Sequence, residues 1–456
     1  MKLRVFLALL CARAARFALR LTHRGGTALP GRVAMRLCPD ILRYLGRDVK
    51  TVLVTGTNGK TTSCQIVEQL FAEEGVSCFS NKGGANLIQG IATAFALRAS
   101  LTGRIRESYA VMECDEATMP EACRQLQPVC ILLTNIFSDQ LDRFGDVGNT
   151  LSVIKKGVRS APNAAVCLNA DCSLSSSMAE SLPNPVVFYG VETELYRQRV
   201  REVSDAPRCL RCGAEYSYTL RTYGHLGAFR CPRCGYGRHE AQVAVTGLLR
   251  QDAEGSRVLL RLDGEEYEAE IAVPGGYNVY NAAGAAAVAM ALGFRPESAV
   301  RAMGNFRCGF GRMEKMELGS CSARMVLVKN PAGCNQALNF LANLEGEALF
   351  VIALNDRAGD GTDISWIYDA DFEALLRLGE RLRGVFCAGD RGADMAVRLR
   401  YARFPMEKLR VFTDYDALID ELSRQSAPVV IMPTYSAMME LRGKLAERYG
   451  LREFWE

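Results

Sequence analysis

The chain has 456 residues, 49% hydrophobic and 23% charged, with a formal charge of +4. That length exceeds what one core serves and calls for two or three domains, while the composition is that of a soluble globular protein without low-complexity tracts. Eleven Lys and Arg stand against Asp40 and Asp48 in the first fifty residues, a local excess of nine, so the basic character is N-terminal and argues for no nucleic-acid partner elsewhere.

The opening segment, "MKLRVFLALLCARAARFALRLTHRGG", has an apolar run of only eight residues from Val5 to Ala12, too short for a membrane span. Arg13, Arg16 and Arg20 follow at helical spacing beside Phe17, Leu19 and Leu21. The pattern predicts a basic amphipathic helix over part of residues 1–48, capping the next domain or touching an anionic membrane surface. Seventeen cysteines, an odd number scattered through apolar segments, indicate free thiols and a reducing cytoplasm.

From residue 49 short β-branched runs alternate with helical stretches. "TVLVTG", "YAVMECDE", "CILLTN", "AAVCLNAD" and "PVVFYG" are predicted strands, and a helix is predicted from Lys60 to Glu74. This predicts an α/β fold with a mostly parallel sheet and ligands at the carboxyl ends of its strands. A Cys- and Gly-rich insert occupies about 205–240, followed by a polar β-ribbon and an Ala-rich helix that close a domain at 305. Residues 306–456 form a second alternating block, with strands "ARMVLVKN", "ALFVIALND", "GVFCAGD", "LRVF" and "PVVIMPTY" and helices including "DFEALLRLGERL".

"TVLVTGTNGKTTSCQI" runs a strand into a Gly-rich turn and then a helix, which turns backbone N–H groups and the helix N-terminus onto one point and makes an anion site. Gly56, Thr57, Asn58, Gly59, Lys60, Thr61 and Thr62 are the candidate nucleotide-binding residues: Lys60 reaches the outer phosphates and the Thr61 hydroxyl ligates Mg²⁺. Val54 stands where the general phosphate-loop pattern has its first glycine. Acidic clusters follow two strands, Glu113 and Asp115 in one, Asp139 and Asp142 with Asn135 in the other. Each acid is a candidate for Mg²⁺ or for a helix cap, with Glu113 the preferred ligand. Cys209, Cys212, Cys231 and Cys234 form two C-x₂-C pairs separated by 18 residues, the spacing of a closed structural Zn²⁺ site. The insert lacks the dense basic and aromatic face of a nucleic-acid ribbon.

In the order "TGTNGKTT", "TNIFSDQLDRFG", "LNADC", "GGYNVYNAAGAAA", "FGRMEK", "VKNPAGCNQAL" and "NDRAGDGTDISWIYDADFE", the chain resembles the MurT family over residues 1–456. These are the Mur-ligase-like subunits of lipid II isoglutaminyl synthase, and their relatives carry the same four-cysteine insert. The resemblance implies a Mur-ligase-like ATP-binding domain at 49–305 with a zinc-ribbon insert and a C-terminal Rossmann-like domain at 306–456. It further implies ATP and Mg²⁺, with Asn278 and Asn281 including an adenine contact and Arg312 leaning toward the γ-phosphate. The implied activity is phosphorylation of the D-glutamate α-carboxylate on lipid II, followed by attack of ammonia.

Two departures separate the chain from amino-acid-adding Mur ligases: Asp139-Gln140-Leu141-Asp142 has Gln where those commonly carry His, and Lys329-Asn330-Pro331 replaces an Asp-rich segment with His-Asn-Pro. A stand-alone ligase of the Mur or folylpolyglutamate type, and a non-catalytic zinc-ribbon nucleotide-binding module, are the competing readings. The only histidines, His23, His225 and His239, offer no pairing for a Cys-His glutaminase. The resemblance supplies that activity as a separate GatD-type amidotransferase subunit. It also gives "DGTDISW" a role, with Asp363 reaching across the interface as third member of the partner's triad, Asp360 and Gly361 shaping the loop and Trp366 anchoring. The alternative for Asp363 is a local helix cap.

Overall fold

The computed structural model describes residues 2–21, 28–81, 85–138, 147–196, 200, 204–306, 311–343, 346–357 and 359–451. Strands β1 (Lys50–Thr55), β2 (Cys78–Ser80), β3 (Tyr109–Glu113), β4 (Cys130–Leu133), β5 (Ala165–Asn169) and β6 (Val186–Val191) are parallel. Their near-continuous apolar runs, such as Val52, Leu53 and Val54 with no exposure, belong to a sheet covered on both faces. After a two-stranded hairpin in the insert, β7 (Ser217–Tyr223) with β8 (Leu226–Arg230), the chain returns as β9 (Val243–Gln251), parallel to β6. Strands β10 (Ser256–Leu262) and β11 (Glu265–Ile271) then extend the sheet antiparallel. In β10, buried Val258, Leu260 and Leu262 alternate with more exposed neighbours, the period of a sheet with one solvated face.

The resulting nine-stranded order is β11-β10-β9-β6-β5-β4-β1-β3-β2. β1 lies between β3 and β4, so the chain leaves the centre in both directions and opens a crevice at the carboxyl ends of these three strands. A second, six-stranded sheet holds β12 (Arg312–Leu318), β13 (Cys321–Val326), β14 (Ala348–Ala353), β15 (Leu382–Ala388), β16 (Leu409–Val411) and β17 (Val429–Pro433), in the order β12-β13-β17-β14-β15-β16. Only the β12–β13 pair is antiparallel.

The basic helix forms over Lys2–Leu21, with Val5, Ala8, Leu9 and Ala12 buried in the main core. Its outward side differs from the expected polar face: Leu3, Phe6, Leu7, Leu10 and Phe17 are all exposed. Among the described residues no helix is long and apolar enough to cross a membrane. Strands β2, β9 and β12 are absent from the predicted set; β2 is a three-residue edge, whereas β12 alternates apolar with charged residues, the period of a half-buried strand. "DFEALLRLGERL" is a run of 3₁₀ turns at Phe372–Arg381 rather than the predicted α-helix. Phe372, Leu375 and Leu378 are buried every third residue, which suits three residues per turn, and Gly379 at φ 57° kinks the run before its last turn.

One buried ion pair holds the second sheet to its last helix, Tyr435–Tyr449. Glu314 on β12 accepts from Arg442 Nε at 3.0 Å and from the Gly311 N–H at 3.0 Å, with the Arg442 side chain nearly inaccessible. Removing one partner leaves an uncompensated charge. Arg442→Met is therefore expected to lower stability by about 3–5 kcal/mol, measured by urea denaturation through Trp366 and Trp455 fluorescence; an unmoved midpoint would refute the assignment.

Candidate active site

The turn after β1 is shaped by close approach. Gly56 and Gly59 have φ of 117° and 87°, and a Cβ would stand 2.4 Å from Thr134 Oγ1 at the first and 2.1 Å from Asn281 Oδ1 at the second. The Asn58 N–H donates to Asn135 Oδ1 at 3.0 Å, and the Asn58 carbonyl accepts from Thr134 Oγ1 at 2.8 Å and Asn135 Nδ2 at 3.0 Å. Asn135 thus braces the turn; Asp139 and Asp142 lie outside the described residues. Thr57 and Thr62 are buried in the turn and the first helical turn beyond it.

Lys60 opens the helix Lys60–Glu73, and its ammonium folds back on the carbonyls of Gly56 at 2.5 Å and Thr57 at 3.3 Å and on Glu116 Oε1 at 3.3 Å. Glu116 escaped the sequence reading, although it ends the same acidic run as Glu113 and Asp115. Burial pushes its carboxyl up, against the lowering pull of Lys60 and then Lys329. Glu113, at the end of β3, accepts from Thr61 Oγ1 at 2.9 Å and from Asn86 Nδ2 at 3.4 Å. A hydroxyl and a carboxylate brought together beside a phosphate loop are hard oxygen donors suited to Mg²⁺. Asp115 instead caps a short 3₁₀ turn through the Ala117 N–H at 3.1 Å.

The second α/β block contributes two groups to the same crevice. Arg312, first in β12, directs Nη2 to within 3.5 Å of Thr61 Oγ1. Asn330 caps the helix Pro331–Ala342 by accepting from the Gly333 N–H, and its Nδ2 donates to Asn58 Oδ1 at 3.2 Å. Asn278 and Asn281 begin the helix Gly276–Leu292; both are buried, with Asn281 Nδ2 donating to Asn278 Oδ1 at 3.0 Å and Asn278 Nδ2 to the Pro274 carbonyl at 2.7 Å. Asn281 is thus seated behind Gly59.

In the insert the sulfurs of Cys209, Cys212, Cys231 and Cys234 all lie within 4.8 Å of one another. Two matching turns bring them there, with Gly213 and Gly235 N–H groups donating to the Cys209 and Cys231 carbonyls at 2.9 and 3.0 Å. Against the cost of burial, the backbone at Cys234, the Cys212 thiol and the backbone at Arg233 pull the Cys231 thiol down to about 6. Four sulfurs so placed fit a tetrahedral Zn²⁺ with no open position. Asp360 is nearly buried and accepts from the Ser436 N–H at 2.7 Å and Ser436 Oγ at 2.5 Å, holding the start of the last helix. Asp363 is exposed; it accepts from the Ser365 N–H at 2.8 Å, and Ser365 holds its carboxyl below the usual range. Trp366 is half-buried against the main core, whereas Tyr368 two residues on is 56% exposed.

Residues 54–225 match the Mur ligase middle domain and residues 327–438 the MurT ligase C-terminal family. The chain is 34% identical to subunit MurT of the glutamine-hydrolyzing lipid II isoglutaminyl synthase of Streptococcus pneumoniae, covering 99% of both chains. It is 30% identical to the corresponding Staphylococcus aureus subunit, covering 97% of this chain and 98% of that one. Its fold is similar to that of a pseudomurein peptide ligase type C from Methanothermus fervidus, with a TM-score of 0.68 at 20% identity over 90% of this chain and 81% of the other. The end-to-end match, over a Mur-ligase-like fold with the phosphate-loop crevice intact, shows that this chain belongs to the MurT family.

Proposed function

We propose that this chain is the ATP-dependent subunit of a cytoplasmic lipid II isoglutaminyl synthase. It activates the α-carboxylate of D-glutamate in the stem peptide for amidation by ammonia from a separate GatD-type glutaminase. The observation that carries this reading is the convergence of Lys60, Thr61 and Glu113 at the ends of β1 and β3 with Arg312 entering from the other sheet, in a chain aligned end to end with MurT subunits. Residues 49–305 act as the ATP-binding domain, with the insert at about 205–240, and 306–456 as the C-terminal domain.

A carboxylate is a poor electrophile, and transfer of the γ-phosphoryl group gives it a leaving group. A carboxylate oxygen attacks the γ-phosphorus as the bond to ADP breaks. Ammonia then attacks the acyl carbon, phosphate departs, and a proton is lost from nitrogen. Turn N–H groups from Gly56 to Thr62 orient the phosphates. Lys60 exchanges its carbonyl contacts for the outer phosphate while Glu116 restrains its swing. Arg312 meets the same charge from the far side. Thr61 and Glu113 would hold Mg²⁺, which when bound neutralises charge on the transferring group.

The chain's own buried Cys-His pair does not supply ammonia. Cys172 Sγ lies 3.5 Å from His225 Nε2, but both side chains are inaccessible, burial lowering the imidazole to about 3 and raising the thiol to about 11. At neutral pH it holds a thiol and a neutral ring, and it makes no thiolate. Asp363, exposed in the loop between β14 and the turn Ser365–Tyr368, serves in this reading as third member of the partner's triad, with exposed Tyr368 near it as an anchor. Asp363→Asn is expected to leave ATP binding and ammonia-dependent amidation unchanged and to lower glutamine-dependent amidation at least about tenfold, read by mass spectrometry of lipid II with the partner present. A normal glutamine-dependent rate would remove Asp363 from the relay.

The N-terminal helix supports a lipid-surface role. Its outward Leu3, Phe6, Leu7, Leu10 and Phe17 are exposed, and no acid precedes Asp40 among its many cations. Such a surface suits the headgroup layer of an anionic membrane, where lipid II resides. Because Val5 and Leu9 are core residues, deleting the helix would damage the fold; substituting outward positions tests the idea more cleanly. Wild-type protein is expected to float with phosphatidylglycerol vesicles and the Leu3→Glu, Leu7→Glu, Leu10→Glu triple variant to remain at the bottom of the gradient. Equal flotation of the two would overturn this reading.

A further inference from the structure

We infer that the four-cysteine insert positions the nucleotide loop, through the tip of its hairpin at Tyr223, Gly224 and His225 acting on Phe137 and thence on Thr57. The inference rests on the ATP-binding reading of that loop. Thr57 is locked to the backbone of Phe137 in both directions: its hydroxyl donates to the Phe137 carbonyl at 3.1 Å and accepts from the Phe137 N–H at 2.9 Å. Any shift of residue 137 is therefore a shift of the second residue of the turn. Phe137 is buried, and its ring is held by the hairpin. It lies parallel to Tyr223 with centroids 5.7 Å apart and packs on the imidazole of His225 at 4.5 Å. Gly224 has φ 54°, and a Cβ there would stand 2.7 Å from the Phe137 ring, so the turn is cut to the shape of that side chain.

A second strut reaches the other side of the loop. Thr222 Oγ1 is 2.7 Å from the Tyr280 hydroxyl, and that hydroxyl donates to the fully buried Asp171 at 2.7 Å. Tyr280 precedes Asn281, whose amide sits against Gly59. Asp171 also accepts from Arg238 Nε at 2.5 Å, four residues after the last cysteine, so the exit of the insert is tied to the same strut. The hairpin forms a two-stranded sheet of its own, bridged at Leu226 to Cys172; Tyr223 and Leu226 at its tip join the main core, while its base rests on the small apolar cluster of Cys209, Tyr216, Phe229, Cys231 and Tyr236. A two-stranded hairpin with so small a core is marginal alone, and cross-linking of the four thiolates supplies its rigidity. When that cross-link is lost, the face of Phe137 that the hairpin holds loosens, and the turn loses definition where phosphate must fit.

The test uses the full chain with its glutaminase partner and a fluorescent ATP analogue. Chelator-stripped protein and the exposed-cysteine variant Cys234→Ser are expected to bind the analogue about tenfold more weakly and to raise KM for ATP, with KM for glutamine unmoved and far-UV circular dichroism unchanged. Tyr223→Ala should reproduce the loss and Tyr223→Phe, which keeps the ring, should restore it. Wild-type affinity in folded, metal-free protein, or equal behaviour of the two Tyr223 variants, would overturn the inference. Should the metal-free forms unfold, the Tyr223 pair decides alone. Failure of the wild type itself to bind the analogue would instead sink the ATP reading of the loop.

Discussion

Four residues join β1 to the helix that follows it, and their backbone fits only because Gly56 lies against Thr134 and Asn135 and Gly59 against Asn281. The fit is tight enough that the turn has no independent shape: β4 supplies one wall through Thr134 and Asn135, and the Ala-rich helix supplies the other. A phosphate site built from backbone N–H groups depends on such preorganisation, since the donors gain strength only if they already point at the anion. The parallel order around β1 exists in this sense to bring three strand ends together. Glu113 arrives on β3, the bracing pair on β4, and Lys60 and Thr61 on the helix after β1.

Polar groups in the crevice are paired across different elements. Lys60 faces Glu116, Thr61 faces Glu113, and Arg312 is delivered by a strand whose position depends on the Glu314–Arg442 pair behind it. Burial raises the Glu116 carboxyl against the lowering pull of Lys60. The acids also divide by exposure. Asp360 is consumed in fixing a helix terminus, while Asp363, three residues later, remains in solvent with only a local bond. The buried thiol and imidazole of Cys172 and His225 show the converse: proximity without access or charge makes no catalyst.

Much of this was legible in the residues. The strand-turn-helix around Lys60 follows from local chemistry, because Gly positions, Lys-Thr and an apolar run each demand the same local geometry. The cysteine quartet was equally plain, since two C-x₂-C pairs become one site for any hairpin that closes the gap. Apolar runs marked the central strands because sheets covered on both faces carry no polar alternation. Short edges such as β2 escaped because their identity lies in pairing with neighbours. The 3₁₀ run at Phe372–Arg381 escaped because three- and four-residue apolar spacings are hard to separate over ten residues.

The sequence by itself therefore determined which local devices exist: a phosphate turn, a four-sulfur knot, two alternating blocks, a basic first helix. Tertiary structure alone decided which residues meet. Glu116 rather than Asp115 faces Lys60, Asn135 braces the turn, Asn281 lies behind Gly59, and the hairpin tip meets Phe137, which itself lies 80 positions from Thr57. The physical reason is that these are pairings across a sheet or between separate elements. Local propensity acts over a few residues, whereas the register of parallel strands and the packing of an insert are set by burial summed over the whole core.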